Sequence, residues 1–219
     1  MAIPKIIHQT FKSSELPFLT RWHIARFRKK NPEYLYEFYD DQRIDDFLLK
    51  EFGTEILSLY KRINIGAAKA DFFRYAVLYK KGGVYVDIDS GIRNRLDSFI
   101  LPDDTAVITK EGDPNLFAQW ALIYAAGHPF LKQTIDLVLE NIRRDKYPHD
   151  VHRMTGPSAY TEAIRLCLEN DPEIKYRVLG TDYQGNLIVK YKLGKFFLYE
   201  KGDHWKKKQL TTTVLKPAE

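Results

Sequence analysis

Asp87 and Asp89, two aspartates separated by one residue, follow the apolar run Gly83-Val-Tyr-Val86. If residues 84–88 form a strand, alternation puts Val84, Val86 and Ile88 on one face and Tyr85, Asp87 and Asp89 on the other. Two carboxylates aimed at one point repel, and each raises the other's pKa unless a cation lies between them. Their hard oxygens suit Mg²⁺ or Mn²⁺, with water and phosphate oxygens filling the remaining positions. The plain alternative is a scaffold Asp87 and an Asp89 that caps the next turn. A bare Asp-x-Asp is common; what favours function is its place at a strand's C-terminal end, where ligand crevices form in α/β sheets.

Asp71 and Arg74 lie three residues apart, on one face of a helix predicted over residues 65–80. That helix is apolar nearly all round (Ala67, Ala70, Phe72, Phe73, Ala76, Val77, Leu78), which implies burial on several sides. A buried ion pair adds little stability over apolar side chains, so a structural salt bridge is one reading. Beside the Asp87/Asp89 strand, the other is that Asp71 accepts hydrogen bonds from a polyol and Arg74 donates to a diphosphate or a sugar.

The elements that must position these groups follow from apolar periodicity and turn residues. Strands are expected over 3–8, 33–39, 84–88 and 106–109. Helices are expected over 20–30, ended by Asn31-Pro32, and over 42–51, capped by Asp40-Asp41. Gly82-Gly83 stops the 65–80 helix. A helix over 120–126 is broken by Gly127-His128-Pro129, a second runs on to Arg143, and Ser158 caps a third over 158–168. Short β segments are expected at 176–180, 187–191 and 195–199. This alternation predicts an α/β layered domain with a mainly parallel sheet. One domain is expected over 1–219, with 176–219 as a β-rich, basic end that closes the site.

A content of 44% hydrophobic, 29% charged and 14% aromatic residues excludes a disordered chain. With 12 Gly, 10 Pro and one Cys, collagen-like and disulfide-scaffold classes are excluded too. Cys167 has no partner for an intrachain disulfide, so a reducing compartment is expected. The net charge of +5 resides in residues 190–219, because residues 1–189 carry 26 basic and 26 acidic side chains. A pI near 9.0 invites a nucleic-acid reading, but a neutral body with a basic end suits a phosphate-bearing small ligand equally well. The N-terminus lacks a signal-peptide pattern. The longest uncharged stretch, 114–131, contains two Pro, Asn115, Gln119, Gly127 and His128, and reads as core and loop, not a membrane span. A cytoplasmic chain is the expectation. His23, His128, His149 and His152 show no metal-ligand spacing. Trp22, Phe27, Tyr34, Tyr36, Phe38 and Tyr39 read as core or pocket wall.

The run A-K-A-D-F-F-R-Y-A-V-L-Y-K-K-G-G-V-Y-V-D-I-D, residues 68–89, resembles the signature of family 32 glycosyltransferases. That group is related to yeast initiating mannosyltransferases and bacterial capsular-polysaccharide sugar transferases, and is more distantly similar to the clostridial glucosylating toxins. I-P-K-I-I-H-Q-T (3–10), N-P-E-Y (31–34) with Asp40-Asp41, and Thr155-Gly156-Pro157 match further segments. The resemblance implies a GT-A fold and metal-dependent, retaining transfer of a hexose from a UDP- or GDP-sugar to a glycan or other hydroxyl acceptor.

It also implies roles. Asp89 would ligate Mn²⁺ or Mg²⁺ directly, and Asp87 would reach the metal through water while contacting sugar or ribose. Asp71 and Arg74 would bind donor sugar and phosphate, and Tyr85 would line the donor pocket. His8, Gln9 and Thr10 would sit near base and ribose. Relatives end in a His-rich or Ser-x-Trp-like segment; here the counterpart is Gly202-Asp203-His204-Trp205, with His204 favoured over Asp203 as third protein ligand. Residues 119–124 and 146–155 are assigned to the acceptor side.

Two other classes stay open. One is a phosphatase using Asp87 of D-I-D-S-G as nucleophile. The other is a non-catalytic, basic carbohydrate- or nucleic-acid-binding module. On the favoured reading no nucleic-acid partner is expected, and the Lys-rich end leaves peripheral membrane association open.

Overall fold

The computed structural model describes residues 2–191, 198 and 205–216. The elements run β1 (Ile6–Thr10), α1 (Phe18–Lys30), β2 (Leu35–Tyr39), α2 (Asp41–Arg62), α3 (Gly66–Lys81), β3 (Gly83–Val86), β4 (Gly91–Ile92) and β5 (Ala106–Lys110). They continue with β6 (Ala121–Tyr124), α4 (Pro129–Arg143), α5 (Val151–Met154), α6 (Pro157–Asn170), β7 (Arg177–Thr181), β8 (Leu187–Ile188) and α7 (Trp205–Thr211). The main sheet has the order β2-β1-β3-β6-β5-β7, and β4 and β8 form a separate pair. β1 pairs parallel with β2 and β3, and β5 with β7, whereas β6 is antiparallel to both its neighbours. The mixed, mainly parallel α/β sheet is the expected one.

Alternation along the central strands divides the core. Tyr85, Ile108, Leu122 and Tyr124 join the cluster built with Phe72, Phe73, Leu131 and Tyr160 from α3, α4 and α6. Val84, Val86, Val107 and Ile123 join the opposite cluster, with Ile24 and Phe27 of α1. Asp40 caps α2 by accepting a hydrogen bond from the Arg43 amide at 2.9 Å. At the end of α3, Gly82 (φ 65°) and Gly83 (φ 104°) take conformations that favour glycine, and the Gly82 amide bonds the Leu78 carbonyl at 2.8 Å.

Several expectations are corrected. Residues 121–124 are a strand, not a helix: four consecutive apolar residues carry no period, and these are fully buried between β3 and β5. β3 ends at Val86, so Asp87 and Asp89 lie on a turn, closed by the Ser90 amide donating to the Asp87 carbonyl at 2.9 Å. Gly156, not Ser158, precedes α6, and Pro157 occupies its first turn. α2 continues to Arg62 through a break at Gly53 (φ 84°, ψ 179°). His152 lies on the short helix α5. The β-rich end contains helix α7, and the strand expected at 195–199 lies outside the described residues apart from Leu198. Trp22 is 46% exposed, outside the core. Among the described residues no helix is long and apolar enough to cross a membrane.

Candidate active site

Helix α3 crosses behind the tip of β3, and its buried face carries the charged pair. Asp71 and Arg74 are each 3% exposed, a burial that charged groups tolerate only when paired. Arg74 Nη2 lies 3.2 Å from Asp71 Oδ1 and 2.9 Å from Asp87 Oδ1, so one guanidinium joins the helix to the aspartate turn. It also donates to the Gln119 and Ala70 carbonyls and lies 4.9 Å from the centre of the Tyr85 ring. The Tyr85 hydroxyl donates to Asp87 Oδ1 at 3.1 Å.

Behind Asp71 stands a network that the sequence reading did not place. Gln119 Nε2 donates to Asp71 Oδ1 and the Thr155 hydroxyl to Asp71 Oδ2, each at 2.9 Å. The Tyr75 hydroxyl contacts Gln119 Oε1 (2.6 Å) and the Thr155 carbonyl (3.0 Å). The sequence places Thr155 in the Thr-Gly-Pro element and at the end of the 146–155 acceptor segment, not behind Asp71. Tyr75 carries no sequence assignment, and Gln119 belongs to the segment assigned to the acceptor side.

Thr10, Asp71, Arg74, Tyr85, Asp87, Asp89 and Gln119 line a cavity of about 430 Å³, with Tyr75 and Thr155 outside its wall. Lys190 and Lys208 from the C-terminal region line it as well. Lys190 Nζ is 3.7 Å from Asp89 Oδ2. Thus Asp87 is held by Arg74, while a different cation faces Asp89. Of the first-strand residues, Thr10 reaches the cavity, but His8 and Gln9 do not line it. Both are fully buried: His8 Nε2 bonds the Gly82 carbonyl at 2.9 Å, and Gln9 Nε2 donates to the Asp87 carbonyl at 3.2 Å. Their contacts brace the backbone on either side of β3. His204 lies outside the described residues.

Burial raises the pKa of Asp71, against the pull of Arg74, Gln119 and Thr155. Asp87 is also raised by burial; Arg74 opposes the shift, while the charges of Asp89 and Asp71 add to it. Burial works to lower the Arg74 pKa, but Asp87, Tyr85 and Asp71 hold the guanidinium above its ordinary value. Arg74 thus pairs with two of the three carboxylates and Lys190 faces the third, so a cation bound between Asp87 and Asp89 would compete with Lys190 for Asp89. Among the described residues no group of three or more His, Cys, Asp or Glu side chains could hold a metal. Asp87 and Asp89 fit the other mode, in which two carboxylates bind the ion and water and phosphate oxygens complete its shell.

A mixed α/β sheet with a polar cleft at the tip of β3 is the architecture of GT-A glycosyltransferases. The fold is similar to that of PaToxG glycosyltransferase, with a TM-score of 0.65 and 22% identity over 78% of this chain and 73% of that one. Residues 18–107 match the family described as glycosyltransferase sugar-binding region containing DXD motif. An uncharacterized glycosyltransferase of Acanthamoeba polyphaga mimivirus is 40% identical over 187 residues, 83% of this chain and 72% of that protein. Inositol phosphoceramide mannosyltransferase 3 of Schizosaccharomyces pombe is 32% identical over 136 residues, 61% of this chain and 36% of that protein. The chain belongs to the DXD-containing glycosyltransferase family that its central motif resembles. Family membership selects the first of the three classes that the sequence left open. The chain spans 36% to 57% of the length of three fission-yeast mannosyltransferases that it matches.

Proposed function

We propose that this glycosyltransferase moves a hexose from a UDP- or GDP-linked donor to a hydroxyl of a glycan or other acceptor, with retention of configuration and dependence on Mn²⁺ or Mg²⁺. The observation that carries the reading is the single guanidinium of Arg74 fixed between Asp71 and Asp87 at a cavity wall that also holds Asp89. Such a desolvated cluster costs stability relative to apolar packing, and an electrostatic task at a reacting centre accounts for it. Mannose is the first sugar to test, because the fission-yeast relatives are named mannosyltransferases.

Asp89 and Asp87 would hold the cation, with His204 as a third protein ligand. When bound, the ion supplies Lewis-acid stabilisation to the departing nucleoside diphosphate. Asp71, fixed by Gln119 and Thr155, accepts hydrogen bonds from donor-sugar hydroxyls. Arg74 orients Asp71 and Asp87 and donates toward the sugar and phosphate. Tyr85 and Thr10 wall the donor pocket, while His8 and Gln9 hold the strand beneath it. Carboxylates near the sugar carbon stabilise the cationic character that develops there. No covalent nucleophile is assigned. The 219 residues act as one catalytic unit, with the segment from about residue 176 onward closing over the cleft. Lys190, Leu198 and Lys208 in the cavity wall support that role.

Calorimetric titration with GDP-mannose, UDP-glucose, UDP-galactose and UDP-GlcNAc, each with and without Mn²⁺, tests this reading. At least one donor is expected to bind only with the ion, and Asp89→Ala is expected to remove that binding while leaving the melting temperature nearly unchanged. Failure of the whole panel to show metal-dependent binding would end the proposal.

A further inference from the structure

Helix α1 carries Arg21, Arg26, Arg28, Lys29 and Lys30 and no acidic residue. At about 3.6 residues per turn its faces separate cleanly. Thr20, Ile24 and Phe27 are buried against the body of the protein. On the opposite side Phe18, Trp22 and Ala25 form an outward stripe, with Arg21 and Arg28 along one flank and Arg26 along the other. Phe18 is 75% exposed and Trp22 46%, although aromatic rings of this size are ordinarily covered. The Arg26 guanidinium lies 5.4 Å from the centre of the Trp22 ring.

A second cavity, of about 290 Å³, adjoins the Arg21 flank. Leu16, Ile24, Tyr36 and Phe38 line it together with Arg21 and Arg28, and the Arg28 guanidinium lies 4.8 Å from the centre of the Tyr36 ring. Apolar walls beside two guanidinium groups suit an amphiphile with an anionic head. α1 is linked to the aspartate turn through Tyr191. The Thr20 and Tyr191 hydroxyls are 2.8 Å apart, the His23 ring stacks on Tyr191 at 4.0 Å, and the Tyr191 amide donates to the Asp89 carbonyl at 3.1 Å.

We propose that the outer face of α1 docks this enzyme on an anionic membrane surface. Outward aromatics between rows of cations let the rings enter the boundary of the acyl region while the cations meet lipid phosphates. The uniform charge favours an anionic lipid surface over a protein partner of mixed charge, and the central aromatic stripe favours lipid over nucleic acid. The proposal goes beyond the donor chemistry and moves membrane contact from the Lys-rich end, where the sequence left it open, to the first helix.

Co-sedimentation of the full chain with vesicles of phosphatidylcholine alone, and of phosphatidylcholine with roughly a third phosphatidylserine, tests it. Binding is expected to be roughly tenfold stronger on the anionic vesicles and to weaken with salt. Phe18→Ser with Trp22→Ser, and separately Arg21→Glu with Arg28→Glu, are each expected to lower that binding about tenfold. Their metal-dependent donor binding and melting temperatures should stay unchanged, which separates this test from that of the proposed function. Lys192→Glu with Lys195→Glu should leave vesicle binding as it was. The proposal is overturned by absent binding, by binding indifferent to phosphatidylserine, or by α1 variants that bind like the parent. It is equally overturned if salt-sensitive capture of an oligonucleotide occurs without vesicle binding.

Discussion

Arg74 performs a task that its closest chemical substitute cannot. Its guanidinium reaches Asp71, Asp87 and the Gln119 and Ala70 carbonyls at once, and a lysine ammonium has neither the planar fork nor the span. Arg74→Lys should therefore keep most of the charge balance but lose the geometry. Transfer assays are expected to show kcat/KM lowered roughly a hundredfold, with a modest loss of melting temperature. Arg74→Met leaves the buried Asp71 and the part-buried Asp87 without their cation, held only by Gln119, Thr155 and Tyr85, and is expected to cost about 3 kcal/mol in denaturant unfolding. His8 offers a pH-dependent test. Burial pushes its imidazole from 6.5 down to about 4, and among the described residues buried Nδ1 has no hydrogen-bond partner, so an added proton there would be a buried charge facing no acceptor among them. The unfolded chain takes up that proton first as pH falls below about 6.5. This contribution to stability is thus fully present above that pH and is lost as pH drops toward 4, by about 3 kcal/mol at most. Melting temperatures recorded from pH 7 to pH 4.5 should fall, and His8→Gln should flatten that slope.

At the scale of elements, the junction between α3 and β3 decides where the aspartate turn begins. Gly83 has φ 104°, and a Cβ there would lie 2.5 Å from the Ile6 carbonyl oxygen, on the strand that β3 must pair with. Gly127 also has positive φ (73°), but a Cβ there would meet nothing within 4 Å. Gly127→Ala should therefore cost only the conformational penalty of about 1–2 kcal/mol. Gly83→Ala adds a backbone clash that can be relieved only by opening the β1–β3 pairing, so thermal unfolding should place it well below Gly127→Ala. β6 shows the limit of local reading. Ala121-Leu-Ile-Tyr124 reads equally well as a buried helix or a buried strand, and the choice comes from the free edges of β3 and β5, between which it completes the hydrogen-bond ladder. The charged run of α3 was legible for the opposite reason. Asp71 and Arg74 stand on an otherwise apolar helix, where helical spacing alone puts them on one face.

For the whole molecule, the proposed chemistry predicts a coupling between ligand and stability. A donor analogue that binds only the folded chain, present at about a hundred times its Kd, adds about 2.7 kcal/mol. For a chain of this size that is roughly 5–10 °C in melting temperature. Thermal scans with GDP or UDP should show this rise only when Mn²⁺ is also present, and the rise should vanish in Asp89→Ala. Lys190 brings the C-terminal region into the same equilibrium, because its ammonium stands 3.7 Å from Asp89 Oδ2 where a cation would be welcome.

The linear order of residues determined the α/β class, the cap at Asp40, the glycine stop after α3 and the identity of the charged residues. Each of those depends on neighbours within a few positions of the chain. The tertiary structure alone decided that Asp87 and Asp89 lie on a turn, that Gln119, Thr155 and Tyr75 stand behind Asp71, and that Trp22 faces outward while His8 does not reach the cleft. Asp71 and Thr155 are 84 positions apart and their side chains meet at 2.9 Å. Local periodicity says nothing about such a contact, because it forms only when α3 and the start of α6 are packed on the same side of the sheet.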